Sequence, residues 1–551
     1  MIGTRERSLE KLTAATDFDL LVIGGGITGA GIALDAASRG ARVALVEAND
    51  FASGTSSKSS KLVHGGLRYL EHYEFGLVRE AAQERDLLRV LAPHLVEPIP
   101  FVLPVSDKWM RAKFGVGLWA YDALASFKNL QTHRYLETEE TEAAVPVLPR
   151  NKVKGGFLFY DCKNDDVRLV MEVLIQAVRH GAVVANYCKV VNLDPGADGC
   201  TATVSDAVSG TTFDVRATRV IAAAGVWSDE IEHLANAGAP ERTRPSKGIH
   251  LSFRRSKLPL ADHAAFIPDV ERQRMLFVIP WLDAVIVGTT DTAYPGSIDH
   301  PCVEDEDRRY VLDSINSVFD LGLTPADIAG AWAGLRPLVM GEAGSTADLS
   351  RRHTIYDIAP SVVGITGGKL TTYRRMAKDV VDHVAGAIGV GTKCRTGWIR
   401  LGTVDLDSLF AAVQRRARRL GMARDATENL IRCYGDRALG VIDVAEREGL
   451  EGPLVEGAQP TAAEAVYCAR SEMAVHLNDL LSRRTRLALT DPAAGIGSRS
   501  RAAELMGHTL GWSEQELHAQ VDAHRAEVER ERGACLGAEM DPSEESSVRA
   551  L

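Results

Sequence analysis

The stretch "SSKSSKLVHGGLRYLEHYEFG", residues 56–76, concentrates groups able to hold an anion and move a proton. The hydroxyls of Ser56, Ser57 and Ser60 come first, interleaved with lysines, and His64, Gly65-Gly66, Arg68 and Tyr69 follow. Lysine and arginine attract a negative group, hydroxyls can bond it, and glycines let backbone come close to it. A histidine titrates near neutrality and so suits proton transfer. Tyr69, Tyr73 and Phe75 have a second reading as the apolar face of a following helix, and Arg68 has one as half of a surface ion pair.

Upstream, "DFDLLVIGGGITGAGIALDAASRGARVALVEAND" supplies elements that could position such a loop. An apolar strand over 20–23 runs into Gly24-x-Gly26-x-x-Gly29, and a small-residue helix over 27–39 ends at Gly40. A second strand over 43–46 leads to Glu47. In such a unit the first glycine permits a tight turn and the second lets backbone N–H groups approach a pyrophosphate. The third allows close helix–strand packing, with the helix N-terminus facing the negative charge. Glu47, about twenty residues on, can accept hydrogen bonds from an adenosine ribose and disfavours a 2′-phosphate. The motif predicts dinucleotide binding and leaves NAD and FAD open.

Two further segments bear on the cofactor. "TRVIAAAGVWSDEI" predicts an apolar strand ending at Ala224-Gly225, and its distance from the first motif implies a cofactor domain interrupted by insertions. "VVGITGGKLTTYRRMAKDVVDHV" predicts a strand over 362–366, a turn at Gly367-Gly368, then Lys369 and a helix starting near Leu370 or Thr371. That turn aims a helix N-terminus and a lysine at something negative, as N1 and the C2 carbonyl of a reduced flavin are. The plainer alternative is a strand–helix turn with a surface lysine.

At 551 residues the chain exceeds one core and predicts two or three domains. A formal charge of −11 argues against general nucleic-acid binding but not against a basic pocket for a small anion. The eight cysteines form no CxxC pair and no metal-ligand spacing, so they read as reduced thiols, and no metal site is predicted. The start lacks the apolar run of a signal peptide, and residues 18–37 are too interrupted by Asp19, Asp35 and glycines to span a membrane. From about residue 400, segments such as "DSLFAAVQRRARRLG" and "SEMAVHLNDLLSRRTRLAL" repeat apolar residues at three- and four-residue spacing. They predict a C-terminal helical domain over about 400–538, with a disordered polar tail over 539–551. "KWMRAKFGVGLWAYDAL", residues 108–124, mixes Trp109, Phe114 and Trp119 with Lys108, Arg111 and Lys113. It reads either as an interfacial membrane segment or as a core-facing helix with a basic outer side.

Together "IGGGITGAGIALDAASRG", "TSSKSSKLVHGGLRYLEHYEFGLVREA", "DCKNDDVRLV", "GTTDT", "GLRPL" and "GGKLTTYRRMA" resemble the FAD-dependent, quinone-reducing glycerol-3-phosphate dehydrogenase family. The resemblance runs from about residue 19 to 376 and continues more loosely beyond. One departure is Ala223-Ala224-Gly225, where the family often has Ala-Thr-Gly, so a hydroxyl near the cofactor is lost.

The resemblance implies an α/β plus helical fold: a Rossmann-like FAD-binding domain, an inserted mixed-sheet substrate domain and the C-terminal helical domain. The FAD-binding domain would comprise 17–75, about 151–245 and 355–390, and the substrate cap 76–150 and 246–354. The strands of the cap would include 276–279 and 284–287. FAD would be held by Gly24, Gly26, Gly29, Glu47, Ser56, Ser57, Ser60, Gly225, Gly368, Lys369, Leu370 and Thr371. Arg68, Tyr69, Arg336, Arg351 and Lys369 would face the phosphate of sn-glycerol 3-phosphate, with Arg352 a neighbour that competes with Arg351 for that role.

The implied reaction is oxidation to dihydroxyacetone phosphate by hydride transfer from C2 to flavin N5. His64, His250 and Arg336 remain open as acceptors of the C2 hydroxyl proton, Lys369 adds charge beside them, and Arg336 has a second role against a developing alkoxide. Quinone as electron acceptor implies peripheral association with the inner face of the cytoplasmic membrane, and the protein is expected as a homodimer. The rivals are a glycerol-3-phosphate oxidase making hydrogen peroxide, an amine or amino-acid oxidase, and a flavin-binding protein without turnover.

Overall fold

The apolar runs "FDLLVI", "VALV" and "VVGIT" form the strands Phe18–Ile23, Val43–Val46 and Val362–Thr366, buried at almost every position. Parallel strands covered on both faces have no solvent side, which is why these runs do not alternate. The computed structural model describes residues 2–14, 17–67, 70, 74–124, 131–148, 153–269, 274–319, 321–339, 353–403, 405–495 and 499–532. In the first sheet the order is Thr354–Ala359, Val362–Thr366, Thr212–Ala222, Phe18–Ile23, Val43–Val46, Val183–Ala185. All neighbours on this path are parallel except the first pair. Helices Ile27–Ser38, Asp166–Arg179 and Tyr373–Val384 share a core beneath it. A Cβ on Gly31 would come within 2.7 Å of the Tyr373 ring, so that glycine sets how closely two of these helices approach.

The second sheet is mixed and mostly antiparallel, and its longest pair is Thr243–Arg254 against Ile328–Val339. Alternation sorts the faces of Thr243–Arg254. Ile249, Leu251 and Phe253 enter a core with helix Asp305–Val318, and Ser246, Gly248 and His250 point the other way. The expected strands over 276–279 and 284–287 lie within Arg274–Trp281 and Ala284–Gly288. Strand Gly156–Lys163 falls in a stretch expected for the FAD-binding domain, yet it pairs with Glu97–Pro104 and Leu62–Val63 in the second sheet. Aromatic packing explains this: Phe159 stacks on Phe101 and Phe266, with ring centroids 5.4 and 5.8 Å apart.

Helices from Leu406–Arg419 to Glu514–Arg532 build the C-terminal helical domain around its own core. Buried ion pairs fasten it to the first sheet's helices and loops. Arg484 donates to both oxygens of Asp50 at 2.8 and 2.9 Å, and Arg483 reaches Asp50 at 2.5 Å. Arg168 holds Glu472 at 2.7 Å, Arg486 holds Asp165 at 2.8 Å, and Arg437 pairs with Glu172. Among the described residues all seven cysteines are free, and burial pushes the Cys468 thiol up to about 12. The tail over 539–551 lies outside the described residues.

Burial raises the Asp50 carboxyl, but the charges of Arg484 and Arg483 outweigh it and lower it to about 2. Burial against the Arg437 charge likewise leaves Glu172 at about 2. A carboxyl depressed in the folded state stabilises fully above its unfolded value of about 4, and this is lost as pH falls toward the folded value. The protein should therefore lose stability between about pH 5 and pH 2. Asp50→Ala removes the carboxylate that two buried arginines share, leaving Arg483 to Asp479 and Arg484 to Glu472, and is expected to cost about 3–5 kcal/mol at neutral pH in urea unfolding.

Candidate active site

Strand Phe18–Ile23 ends at Gly24, whose φ of +115° is a left-handed conformation suited to glycine. A Cβ there would sit 2.5 Å from the Ala223 carbonyl oxygen, and one on Gly29 would sit 1.9 Å from the Gly24 oxygen. Gly26 precedes the helix at Ile27, where the backbone can face an anion. The Glu47 carboxylate accepts the Gly25 N–H at 2.6 Å and the Asn49 N–H at 2.9 Å. Burial pushes this carboxyl up, and the two N–H groups pull the other way. Gly25 was missed by spacing rules: its Cβ would meet Phe51 and Glu47 at 2.8 and 2.9 Å. The signal was the third consecutive glycine in "IGGGIT".

Hydrogen bonds fasten the loop over 54–66 to several separate parts of the site. Ser56 Oγ accepts the Ile27 N–H at 2.9 Å, at the first turn of the dinucleotide helix. Thr55 Oγ1 donates to the Leu335 carbonyl at 2.7 Å, next to Arg336. Ser60 Oγ and His250 Nε2 are 2.8 Å apart. The His64 backbone N–H donates to Thr371 Oγ1 at 3.3 Å, and Gly65 N–H donates to Asp161 at 3.0 Å. Ser57 turns inward: it is buried and its hydroxyl donates to the Gly54 carbonyl at 3.3 Å. A Cβ on Gly54 would meet the Trp227 ring at 2.9 Å, which brings in the turn that starts at Gly225 (φ +62°).

On the second sheet, register places Ser246 opposite Arg336, Gly248 opposite Gly334 and His250 opposite Trp332. Arg336 and His250 therefore share the face turned toward the loop. The Arg336 guanidinium donates to Asp291 Oδ1 at 3.2 Å, Thr289 Oγ1 at 3.0 Å and the Thr290 carbonyl at 3.2 Å. It lies across Gly248, where a Cβ would come within 2.4 Å of it. His250 is buried and stacks on Trp332 with centroids 5.2 Å apart. Burial, then the charges of Arg336 and Lys61, hold its imidazole well below the usual histidine range. That direction favours the neutral imidazole, the form that can accept a proton.

Gly367 and Gly368 both adopt left-handed conformations before Lys369, and a Cβ on Gly368 would clash with the Met376 sulfur at 2.4 Å. A 3-10 turn, Leu370–Thr372, leads into helix Tyr373–Val384. The structure thus brings together Gly24, Gly26, Gly29, Ser56, Ser60, His64, His250, Arg336 and Thr371 through the contacts above. Arg68, Tyr69, Arg351 and Arg352 lie outside the described residues. Sequence reasoning did not single out Asp291 or Thr289, which orient Arg336, although "GTTDT" contains both. No group of metal-ligating side chains occurs among the described residues.

The glycine cradle, the helix N-terminus beyond it and the Glu47 carboxylate fit a dinucleotide of the FAD type. Comparison with known proteins agrees with this. A family model described as FAD dependent oxidoreductase matches residues 19–369, and one described as the C-terminal domain of alpha-glycerophosphate oxidase matches residues 394–517. The chain is 39% identical over 539 residues to glycerol-3-phosphate dehydrogenase 2 of Mycobacterium bovis, covering 96% of this chain and 91% of that protein. It is 34% identical to the aerobic glycerol-3-phosphate dehydrogenase of Staphylococcus aureus, covering 96% of each. A solved glycerol-3-phosphate dehydrogenase from Bacillus halodurans, complexed with FAD, superposes with a TM-score of 0.81 at 30% identity. That match covers 98% of this chain and 100% of the other.

Proposed function

The chain belongs to the family of FAD-dependent glycerol-3-phosphate dehydrogenases, and from that premise we propose that it oxidises sn-glycerol 3-phosphate to dihydroxyacetone phosphate and delivers the electrons to a membrane quinone. The observation that carries this reading is the 54–66 loop, whose hydrogen bonds join the dinucleotide turn, the Arg336 strand, His250 and Thr371. One anionic substrate at this junction would meet a cofactor edge, a cation and a neutral imidazole together.

The oxidation removes a hydride from C2 and a proton from the C2 hydroxyl. FAD, when bound, supplies the hydride acceptor. Gly24, Gly26, Gly29, Glu47 and the Ser56 hydroxyl would hold it, with Ser60, Gly225, Gly368, Leu370 and Thr371 along its length. Ser56 Oγ already accepts the Ile27 N–H, so its own hydrogen remains to donate to a phosphate. Arg336, kept in place by Asp291 and Thr289, binds the substrate's phosphate together with Lys369, Arg351, Arg68 and Tyr69. Charge-assisted bonds to a dianion contribute about 1.5–3 kcal/mol each, so several orient a small substrate firmly. His250 takes the hydroxyl proton at Nε2, the nitrogen beside Ser60. Its place on the Arg336 face of the second sheet and its hydrogen bond to Ser60 support this role.

Support for the membrane side comes from helix Lys108–Leu124. It buries only Leu118, Tyr121 and Asp122, and leaves Trp109, Val116 and Trp119 exposed by 70%, 71% and 62%. Lys113 lies over the Trp109 and Phe114 rings, so aromatic and basic groups share one surface, as an anionic bilayer interface requires. No helix among the described residues is long and apolar enough to cross a membrane. Trp109→Ser/Trp119→Ser is expected to weaken binding to anionic phospholipid vesicles by about tenfold or more, with turnover on a soluble dye acceptor retained. Unchanged vesicle sedimentation would remove this helix from the docking surface.

The acceptor is tested by comparing anaerobic turnover on a soluble quinone analogue with peroxide yield in air. Quinone-dependent turnover with little peroxide is expected. Peroxide formed in step with substrate oxidation would make the enzyme an oxidase.

A further inference from the structure

We propose that Lys61 is a positioning residue of this reaction: its buried ammonium fastens the turn over 59–61 and keeps His250 in the neutral, Ser60-bonded form that accepts the proton. The inference rests on the reading of His250 as proton acceptor. Lysines are almost never fully buried unless paired, and Lys61 is 0% exposed. Its Nζ donates to both Asp166 oxygens at 2.8 Å and to the Ser57 carbonyl at 2.6 Å. It also stands 5.4 Å from the ring centroids of Trp281 and Trp332.

The backbone at Lys61 is left-handed, at φ +57°, a conformation that a residue with a Cβ holds only when its surroundings enforce it. Those surroundings are visible. Asp166 also accepts the Ser59 hydroxyl at 2.7 Å, and the Asn164 N–H donates to the Lys61 carbonyl at 2.9 Å. The residue so held next door is Ser60, the partner of His250 Nε2. Trp332, under the Lys61 ammonium, is the same ring that stacks on His250. His250 Nδ1 is buried with no hydrogen-bond partner among the described residues, so the Ser60 hydroxyl at Nε2 is the hydrogen bond there that orients the ring.

Among the described residues, the charges that act on the imidazole are those of Arg336 and Lys61. Arg336 faces it from the neighbouring strand and is answered by Asp291; Lys61 faces it from the loop and is answered by Asp166. Lys247, on the same strand as His250, alternates to the opposite face, where it pairs with Glu304 and Asp307. Lys61 is thus the cation whose removal frees His250 to become charged without touching the proposed phosphate site.

The test follows the His250 titration by NMR of the FAD-loaded enzyme carrying 13C-labelled histidine, with the signal assigned by its loss in His250→Asn. Wild type should titrate below an ordinary histidine. Lys61→Gln should raise the midpoint by about one pH unit or more, and Lys61→Arg should restore it. The double variant Lys61→Met/Asp166→Asn leaves no orphaned carboxylate in the core and guards against misfolding; its midpoint should also rise. The acid limb of kcat/KM should move up with each midpoint. A midpoint unchanged in both charge-removing variants would overturn the role of Lys61 while leaving His250 as the acceptor. Normal turnover in His250→Asn would overturn the acceptor reading itself and this inference with it.

Discussion

Replacing Arg336 with alanine should lower kcat/KM for sn-glycerol 3-phosphate by about a thousandfold or more, at two lost charge-assisted hydrogen bonds of about 1.5–3 kcal/mol each. The loss should exceed that for a free-standing arginine. Asp291, which the guanidinium now pairs with at 3.2 Å, would keep its negative charge without that cation and repel an incoming dianion. Bound FAD should remain, because Arg336 sits on the second sheet, whereas Ala223, Glu47, Phe51 and Ser56 crowd the Gly24–Gly29 turn. Arg336→Lys should recover only part of the loss, since an ammonium cannot keep both Asp291 and Thr289 and still offer the planar pair of donors that suits a phosphate. Steady-state kinetics set beside the flavin absorbance of each purified variant checks both parts. An alanine variant with near-normal kcat/KM would remove Arg336 from the substrate site.

Gly29→Val should yield protein largely without cofactor. A Cβ at this position would lie 1.9 Å from the Gly24 oxygen, a backbone atom that cannot swing aside, so the helix must retreat from the strand. That retreat withdraws the helix N-terminus from the pyrophosphate, and a loss of only about 1.4 kcal/mol in binding is already tenfold in affinity. FAD content after purification should fall by about tenfold or more, with far-UV circular dichroism close to wild type. Gly117→Ala is the control: it too adds a Cβ within a helix, but at a place where nothing beyond the helix's own backbone lies within 4 Å among the described residues. Full FAD content in Gly29→Val would contradict the cradle.

The dinucleotide turn was legible because its signals are local. Three glycines, a strand, a helix and Glu47 lie within one short segment, and each has a steric or electrostatic reason to be there. Much of the rest was not legible, for the opposite reason. Ser60 and His250 are 190 residues apart, and only the register of a long antiparallel pair turns His250 toward the loop. Lys61 looks like any surface lysine in "SSKSSKL", because nothing nearby in sequence reveals that Asp166 will meet it in the core.

The arginines of "LSRRTRLAL" read as the polar face of a helix, whereas Arg484 and Arg486 are buried and grip Asp50 and Asp165 from another domain. Charge reads as exposure until a partner arrives from elsewhere in the fold. The helix over 108–124 shows the converse: composition left its two readings open, and the structure adds that Trp109 and Trp119 stand exposed rather than in a core.

Mixing the FAD-loaded enzyme with sn-glycerol 3-phosphate under strictly anaerobic conditions measures the central claim most directly, because only the substrate half-reaction can then occur. The account predicts rapid, saturable bleaching of the yellow flavin absorbance, with dihydroxyacetone phosphate formed in equal amount, and no bleaching by glycerol at the same concentration. A flavin that stays yellow with the phosphate ester, or that bleaches equally with glycerol, would contradict it.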